Sequence, residues 1–164
     1  MVRIARRSDM RDVTQSAGQM HAPAYNARPL ATSEARMSAP DYELAFHDRG
    51  DYLRVVITGA RDSLEISLAC WNEIAAECER RGTRALLVSD ELPGEPIPPQ
   101  DQERVIQALR ESYMQRVRVA YCEVDAVYLP QAEYGELIAR EAGYTVRVFG
   151  SEREAELWLR YGMS

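Results

Sequence analysis

The side chains best placed to do chemistry cluster at one point, where the short apolar run Ala85-Leu86-Leu87-Val88 ends on Ser89-Asp90-Glu91. Acids at the carboxyl end of a buried strand lie where open α/β sheets bind ligands, and carboxylates held close together raise each other's pKa. Asp90 and Glu91 are adjacent, however, and neighbours in an extended segment point to opposite sides. A paired acid/base role is therefore disfavoured, and solvation or capping of the following loop's amides is the plainer reading. That loop carries four prolines, Pro93, Pro96, Pro98 and Pro99, together with Gly94. Proline lowers the entropy lost on ordering, which suits a preformed binding surface. Its large apolar side chains, Leu92 and Ile97, have two options: folding back onto the following helix, or standing ready for a partner. A second loop, Asp125-Ala126-Val127-Tyr128-Leu129-Pro130, follows the next strand. In a parallel sheet it opens on the same edge, so Asp90, Glu91, Leu92, Gly94, Ile97, Asp125 and Tyr128 form the candidate binding set.

Other chemistry-bearing residues read as structural. His21 and His47 have no second His or Cys at metal-ligand spacing. Cys122 is followed by Glu123 and Asp125, without a basic activator nearby, so a buried thiol is expected rather than a nucleophile. Cys70 and Cys78 fall on one expected helix about 12 Å apart, beyond disulfide reach. Ser63, in Asp62-Ser63-Leu64, is better placed to cap a helix than to act. Tyr113, Tyr128, Tyr134, Tyr144 and Trp158 could line an apolar pocket, although aromatics at helical spacing more often fill a core. No Gly-rich phosphate loop, CxxC or nucleophile elbow is present. All 20 basic residues are Arg, which removes chemistry that depends on lysine.

Apolar content of 46% and charged content of 28% place the chain among ordinary globular proteins. Charge is uneven: residues 1–40 carry net +3 and residues 41–164 carry net −9. A domain this acidic repels nucleic acid and anionic membranes. No apolar run approaches the roughly 20 residues a membrane span needs, and no apolar stretch follows the basic start as in a secretory leader. With few cysteines, read as reduced core thiols, a cytoplasmic location is expected.

The elements that must position the candidate site follow from periodicity. Residues 1–40 lack a sustained period and are expected to be a disordered tail or an upstream start, with Met37 the true initiator; Asp9, Asp12 and Glu34 argue against a targeting segment. Tyr42 to His47 alternates, Asp48-Arg49-Gly50 turns, and Tyr52 to Gly59 is a more central strand, so the pair predicts a hairpin. Asp62 with Glu65 fits a capping box opening a helix whose apolar face is Leu64, Leu68, Trp71, Ala75 and Cys78, stopped at Gly82. After the proline loop a helix presents Val105, Ile106, Leu109 and Tyr113. A strand is expected over Val117 to Val124, and a helix over Pro130 to Ala142 bearing Tyr134, Leu137 and Ile138. A last strand, Tyr144 to Phe149, precedes a helix Glu152 to Tyr161 capped by Ser151 with Glu154, in which Trp158 is expected to be buried. The pattern predicts one α/β domain over 41–164: a mixed, mostly parallel five-stranded sheet with helices packed on it, in the order β-β-α-β-α-β-α-β-α.

That order, the closing segment VRVFGSEREAELWL (Val146 to Leu159), and the two central strands YLRVVITG and RALLVSD resemble the STAS-like bacterial domains of the SpoIIAA-like branch, related to anti-sigma-factor antagonists. This branch shares a fold theme with CRAL-TRIO lipid-binding domains. The resemblance covers about residues 41–162. It implies a non-enzymatic, cytoplasmic protein-interaction module without a cofactor; its CRAL-TRIO side implies instead a small apolar ligand or lipid. Phosphorylated members carry a Ser, usually after Asp, where the third strand meets the second helix. Asp90 to Asp101 contains no Ser or Thr, so the resemblance does not extend to a serine switch here.

Overall fold

The computed structural model describes residues 41–162; the segment 1–40, expected to be a tail or an upstream start, lies outside the described residues. Strands β1 (Tyr42–Asp48) and β2 (Leu53–Gly59) lead into α1 (Leu64–Arg81), β3 (Ala85–Asp90) and α2 (Pro99–Ala108). A 3₁₀ turn (Tyr113–Arg116), β4 (Arg118–Cys122), α3 (Leu129–Glu141), β5 (Thr145–Phe149) and α4 (Glu152–Tyr161) complete the order. The five strands form one sheet in sequence order, β1-β2-β3-β4-β5. β1 pairs antiparallel with β2, and every later pairing is parallel. Gly50, at φ 79°, makes the hairpin turn, where a side chain would be strained.

Because β2 to β5 step across the sheet in one direction, right-handed crossovers place α1, α2 and α3 on a single face. Successive helices there touch, α1 on α2 and α2 on α3. α4 follows the last strand with no crossover to make, and it folds under β3, β4 and β5 on the opposite face. Strand alternation divides the core accordingly. Leu86 and Val88 join Ile66, Cys70, Ile74 and Cys78 of α1, whereas Ala85, Leu87 and Ala120 pack with Ala155 and Leu159 of α4. β3 is buried on both faces, which accounts for its unbroken apolar run.

Local chemistry sets the element ends. Ser63, not Asp62, caps α1, its Oγ accepting the Ile66 amide at 3.3 Å, and Gly82, at φ 65°, ends it. Ser151 caps α4, accepting the Glu154 amide at 3.4 Å and donating to the Glu154 carboxylate at 3.0 Å, a reciprocal arrangement within one turn.

Several expectations need correction. The buried face of α1 is Ile66, Cys70, Ile74, Ala75 and Cys78; Leu64, Leu68 and Trp71 are only partly buried, because that side of the helix meets a neighbouring helix rather than the sheet. α2 ends at Ala108, and Tyr113 belongs to the separate 3₁₀ turn, where Ser112 Oγ donates to the Leu109 carbonyl at 2.7 Å. β4 stops at Cys122, leaving Val124 69% exposed beyond it. Leu137 was expected to face inward but is 56% exposed: α3 overlies the outermost strand, β5, and has no fully buried residue. Trp158 is half-buried, its ring 5.7 Å from that of Phe149 with the Arg118 guanidinium stacked 5.4 Å away. Among the described residues no helix is long and apolar enough to cross a membrane.

Candidate functional site

Beneath α2 and α3, above β3 to β5, lies a cavity of about 160 Å³. Its inner wall is apolar: Trp71 from α1, Val105, Ile106 and Leu109 from α2, Met114 from the 3₁₀ turn, Val119 from β4, Val146 and Val148 from β5, and Tyr144. Small residues of α3, Ala132, Gly135 and Ala139, leave the space open. Gly135 lies close to α2: a Cβ there would stand 3.1 Å from Gln102 Oε1. A cavity near 150 Å³ lined by aliphatic and aromatic groups has the size that accepts a benzene ring.

The polar end of the cavity lies at the carboxyl ends of β3 and β4, the edge of a parallel sheet at which ligands bind. Asp90 projects from the end of β3 on the helix-covered face, the face shared by Leu86 and Val88. Its Oδ2 accepts the Tyr121 hydroxyl at 2.7 Å and its Oδ1 accepts the Leu92 amide at 3.0 Å. Tyr121 reaches it because β3 and β4 pair with Val88 opposite Tyr121. Asp62, just before α1, accepts the Ser67 hydroxyl at 2.9 Å and the Ile97 amide at 3.2 Å. Glu123, just beyond β4, also lines the cavity, and its Oε1 accepts the Asp125 amide at 2.8 Å. Burial pushes the Asp90 carboxyl above the ordinary aspartate range, and the nearby charges of Asp62 and Glu123 add to this; the Leu92 amide and Tyr121 hydroxyl pull it back only in part. Burial, reinforced by Asp90, also drives the Tyr121 phenol well above its usual value.

The proline loop forms one wall of this cavity. Ile97 lines it, with both backbone groups anchored: the amide on Asp62, and the carbonyl accepting Gln131 Nε2 at 2.7 Å and Gln102 Nε2 at 3.3 Å. Gln131 Nε2 also donates to the Pro96 carbonyl at 3.2 Å, so α3 holds the loop down. The segment before α1, together with α2 and α3, thus holds the loop through side-chain hydrogen bonds to its backbone.

Of the residues singled out from sequence, Asp90 and Ile97 meet at the cavity. Leu92 turns away, packing over the end of β2, where a Cβ on Gly59 would stand 2.9 Å from its Cδ2. Glu91 and Gly94 are exposed, Gly94 at φ 95°. Asp125 is exposed and accepts the Val127 amide at 2.9 Å, and half-buried Tyr128 caps α3 through its backbone. Among the five aromatics considered as pocket lining, Tyr144 does line the cavity, its hydroxyl donating to the Ile106 carbonyl at 3.2 Å. Asp62, Tyr121, Gln102 and Glu123 were not anticipated. Alternation along Val119, Tyr121 and Glu123 marks one strand face, but nothing local states that this face looks toward Asp90.

The opposite face holds a separate polar group. Ser89, 5% exposed, donates to Glu152 of α4, which also receives Arg54 of β2. Burial opposes ionisation of Glu152, yet the bonds from Arg54 and Ser89 outweigh it and hold the carboxylate below its ordinary range. This contact ties α4 to the sheet. Among the described residues no group of three His, Cys, Asp or Glu side chains is arranged to hold a metal ion. Comparison of the chain with protein-family models gives no match, and comparison with curated proteins gives none.

Proposed function

We propose that this domain is a non-catalytic binding module for a compact, largely apolar small molecule, held in the cavity between α2, α3 and the sheet. The observation that carries this reading is the cavity itself: ring-sized, walled by aliphatic and aromatic side chains, and lined at its polar end by the Asp90–Tyr121 pair. Ligand sites combine apolar walls with a few convergent polar groups in this way. Of the two implications of the STAS-like resemblance, this is the small apolar ligand. The test is titration with indole and with toluene, followed by backbone and methyl NMR. Val119, Val146 and Trp71 signals are expected to move, and Ala139→Phe, which fills the space, is expected to abolish the shifts while leaving the fold intact. Unmoved wild-type signals at saturating probe would refute the reading.

A second reading, a STAS-like protein-interaction module, is supported by Val124 and Val127, 69% and 77% exposed beside the site. Exposed apolar side chains on a loop next to a cavity suit a partner that senses its occupancy. A Val124→Ser, Val127→Ser variant is expected to keep its melting temperature and its probe binding while losing a co-purifying partner. Partner capture unaffected by both changes would count against this reading.

A further inference from the structure

Four carboxylates line the cavity, and no Arg or His does among the described lining residues. Glu136, on α3, is already engaged by Arg140 and by the Val148 amide. Asp62, Asp90 and Glu123, at the polar end, accept hydrogen bonds from neutral donors: the Ser67 and Tyr121 hydroxyls and the Ile97, Leu92 and Asp125 amides. Gln102 adds another acceptor. Its Nε2 is committed to the Ile97 carbonyl, which fixes the amide orientation, and its buried Oε1 has no hydrogen-bond partner. A buried acceptor without a donor is costly, and a part-buried carboxylate without a cation loses hydration that nothing replaces. The site thus presents acceptors and negative charge at one end of an apolar chamber.

Resting on the binding reading above, we propose that the ligand is a small amphipathic amine: a ring or short aliphatic body in the apolar chamber, with a protonated amino group at the Asp62–Asp90 end. An ammonium carries donors and no acceptor, so it matches a lining that is short of donors. Its charge offsets carboxylates for which the lining supplies no cation, while its body takes the contacts of Trp71, Leu109 and Val146. A carboxylate-bearing ligand of the same size would set like charges together, and a neutral one would leave the acidic end uncompensated.

Three probes of one shape separate the alternatives: benzylamine, benzyl alcohol and benzoate, titrated by NMR against the full chain at physiological ionic strength. Benzylamine is expected to bind at least 10-fold more tightly than benzyl alcohol, and benzoate is expected not to bind. Asp90→Asn keeps the side chain's shape and removes its charge; it should erase most of the preference for benzylamine over benzyl alcohol. Glu91→Gln, a change at an exposed acid next in sequence, should leave the preference in place, which excludes attraction to the acidic surface at large. Benzyl alcohol binding as tightly as benzylamine overturns the amine assignment and leaves the cavity reading standing. Preferential benzoate binding overturns it as well. Failure of all three probes overturns the cavity reading and the amine assignment with it.

Discussion

Removing the Tyr121 hydroxyl isolates the interaction at the centre of the site. Tyr121→Phe keeps the ring and its packing, so it opens almost no cavity and deletes one hydrogen bond. That bond is 2.7 Å long, and after its loss Asp90 retains the Leu92 amide at 3.0 Å. A hydrogen bond to a charged group contributes about 1.5–3 kcal/mol, and one between neutral groups about 0.5–1.5 kcal/mol. The hydroxyl pulls the Asp90 pKa down, so its loss lets that pKa rise further, and the variant is penalised most where Asp90 is ionised. The expected loss is therefore about 1.5–3 kcal/mol near pH 8, shrinking toward about 0.5–1.5 kcal/mol near pH 4, because lowering the pH moves Asp90 toward its neutral form. Urea denaturation at the two pH values measures this as a shift in midpoint at constant slope. A double-mutant cycle with Asp90→Asn isolates the pair, and the coupling should fall as pH falls. Equal losses at both pH values, or no loss at pH 8, would refute the claim that Tyr121 supports a part-buried carboxylate.

Asp90→Asn alone should stabilise the protein at neutral pH. Between the ordinary aspartate value of about 3.9 and the raised value of Asp90, the folded state holds a proton that the unfolded chain has released, so wild-type stability falls as pH rises through that window. The advantage of Asn should vanish below about pH 4, and a variant less stable than wild type at pH 7 would contradict it. Ile74, fully buried, should cost about 2–5 kcal/mol on truncation to Ala, whereas Leu137→Ser should stay within about 0.5 kcal/mol; comparable losses would misplace α3. Gly59→Ala would set a methyl 2.6 Å from the Asp41 carbonyl and 2.9 Å from Leu92, and should cost about 1–3 kcal/mol in melts; a neutral result would mean that Leu92 does not pack there. Burial pushes Cys70 up to about 12 and Cys78 and Cys122 up to about 11, so native protein at pH 8 should react with thiol reagents far more slowly than unfolded protein. Rapid labelling of the native state would refute that burial.

What the sequence determined by itself is whatever local physics decides. Alternation along Tyr42 to His47 and the unbroken run Ala85 to Val88 distinguish an edge strand from a central one. Ser63, Ser151 and Gly82 mark helix ends because an unpaired amide or carbonyl must be met within one turn. Asp90 was legible as an acid on the edge where strand ends of a parallel sheet converge, and capping of a loop amide as its plainer role, which its bond from the Leu92 amide shows. What only the tertiary structure decided is which elements become neighbours. The order β1-β2-β3-β4-β5 sets Tyr121 beside Asp90, 31 residues away in the chain. Packing of α1 against both sheet and helix turned its buried face toward Ile66, Cys70 and Ile74 and left Trp71 free to line the cavity. The outer position of α3 exposed Leu137, which periodicity had placed inside. Asp62 read as a cap and Gln102 carried no signal, because hydrogen bonds to Ile97 across 35 and 5 residues depend on where the proline loop lands. Periodicity records which face of an element is apolar; the cavity exists because three helices crossing one sheet face leave space above small residues of α3, and no single element encodes that space.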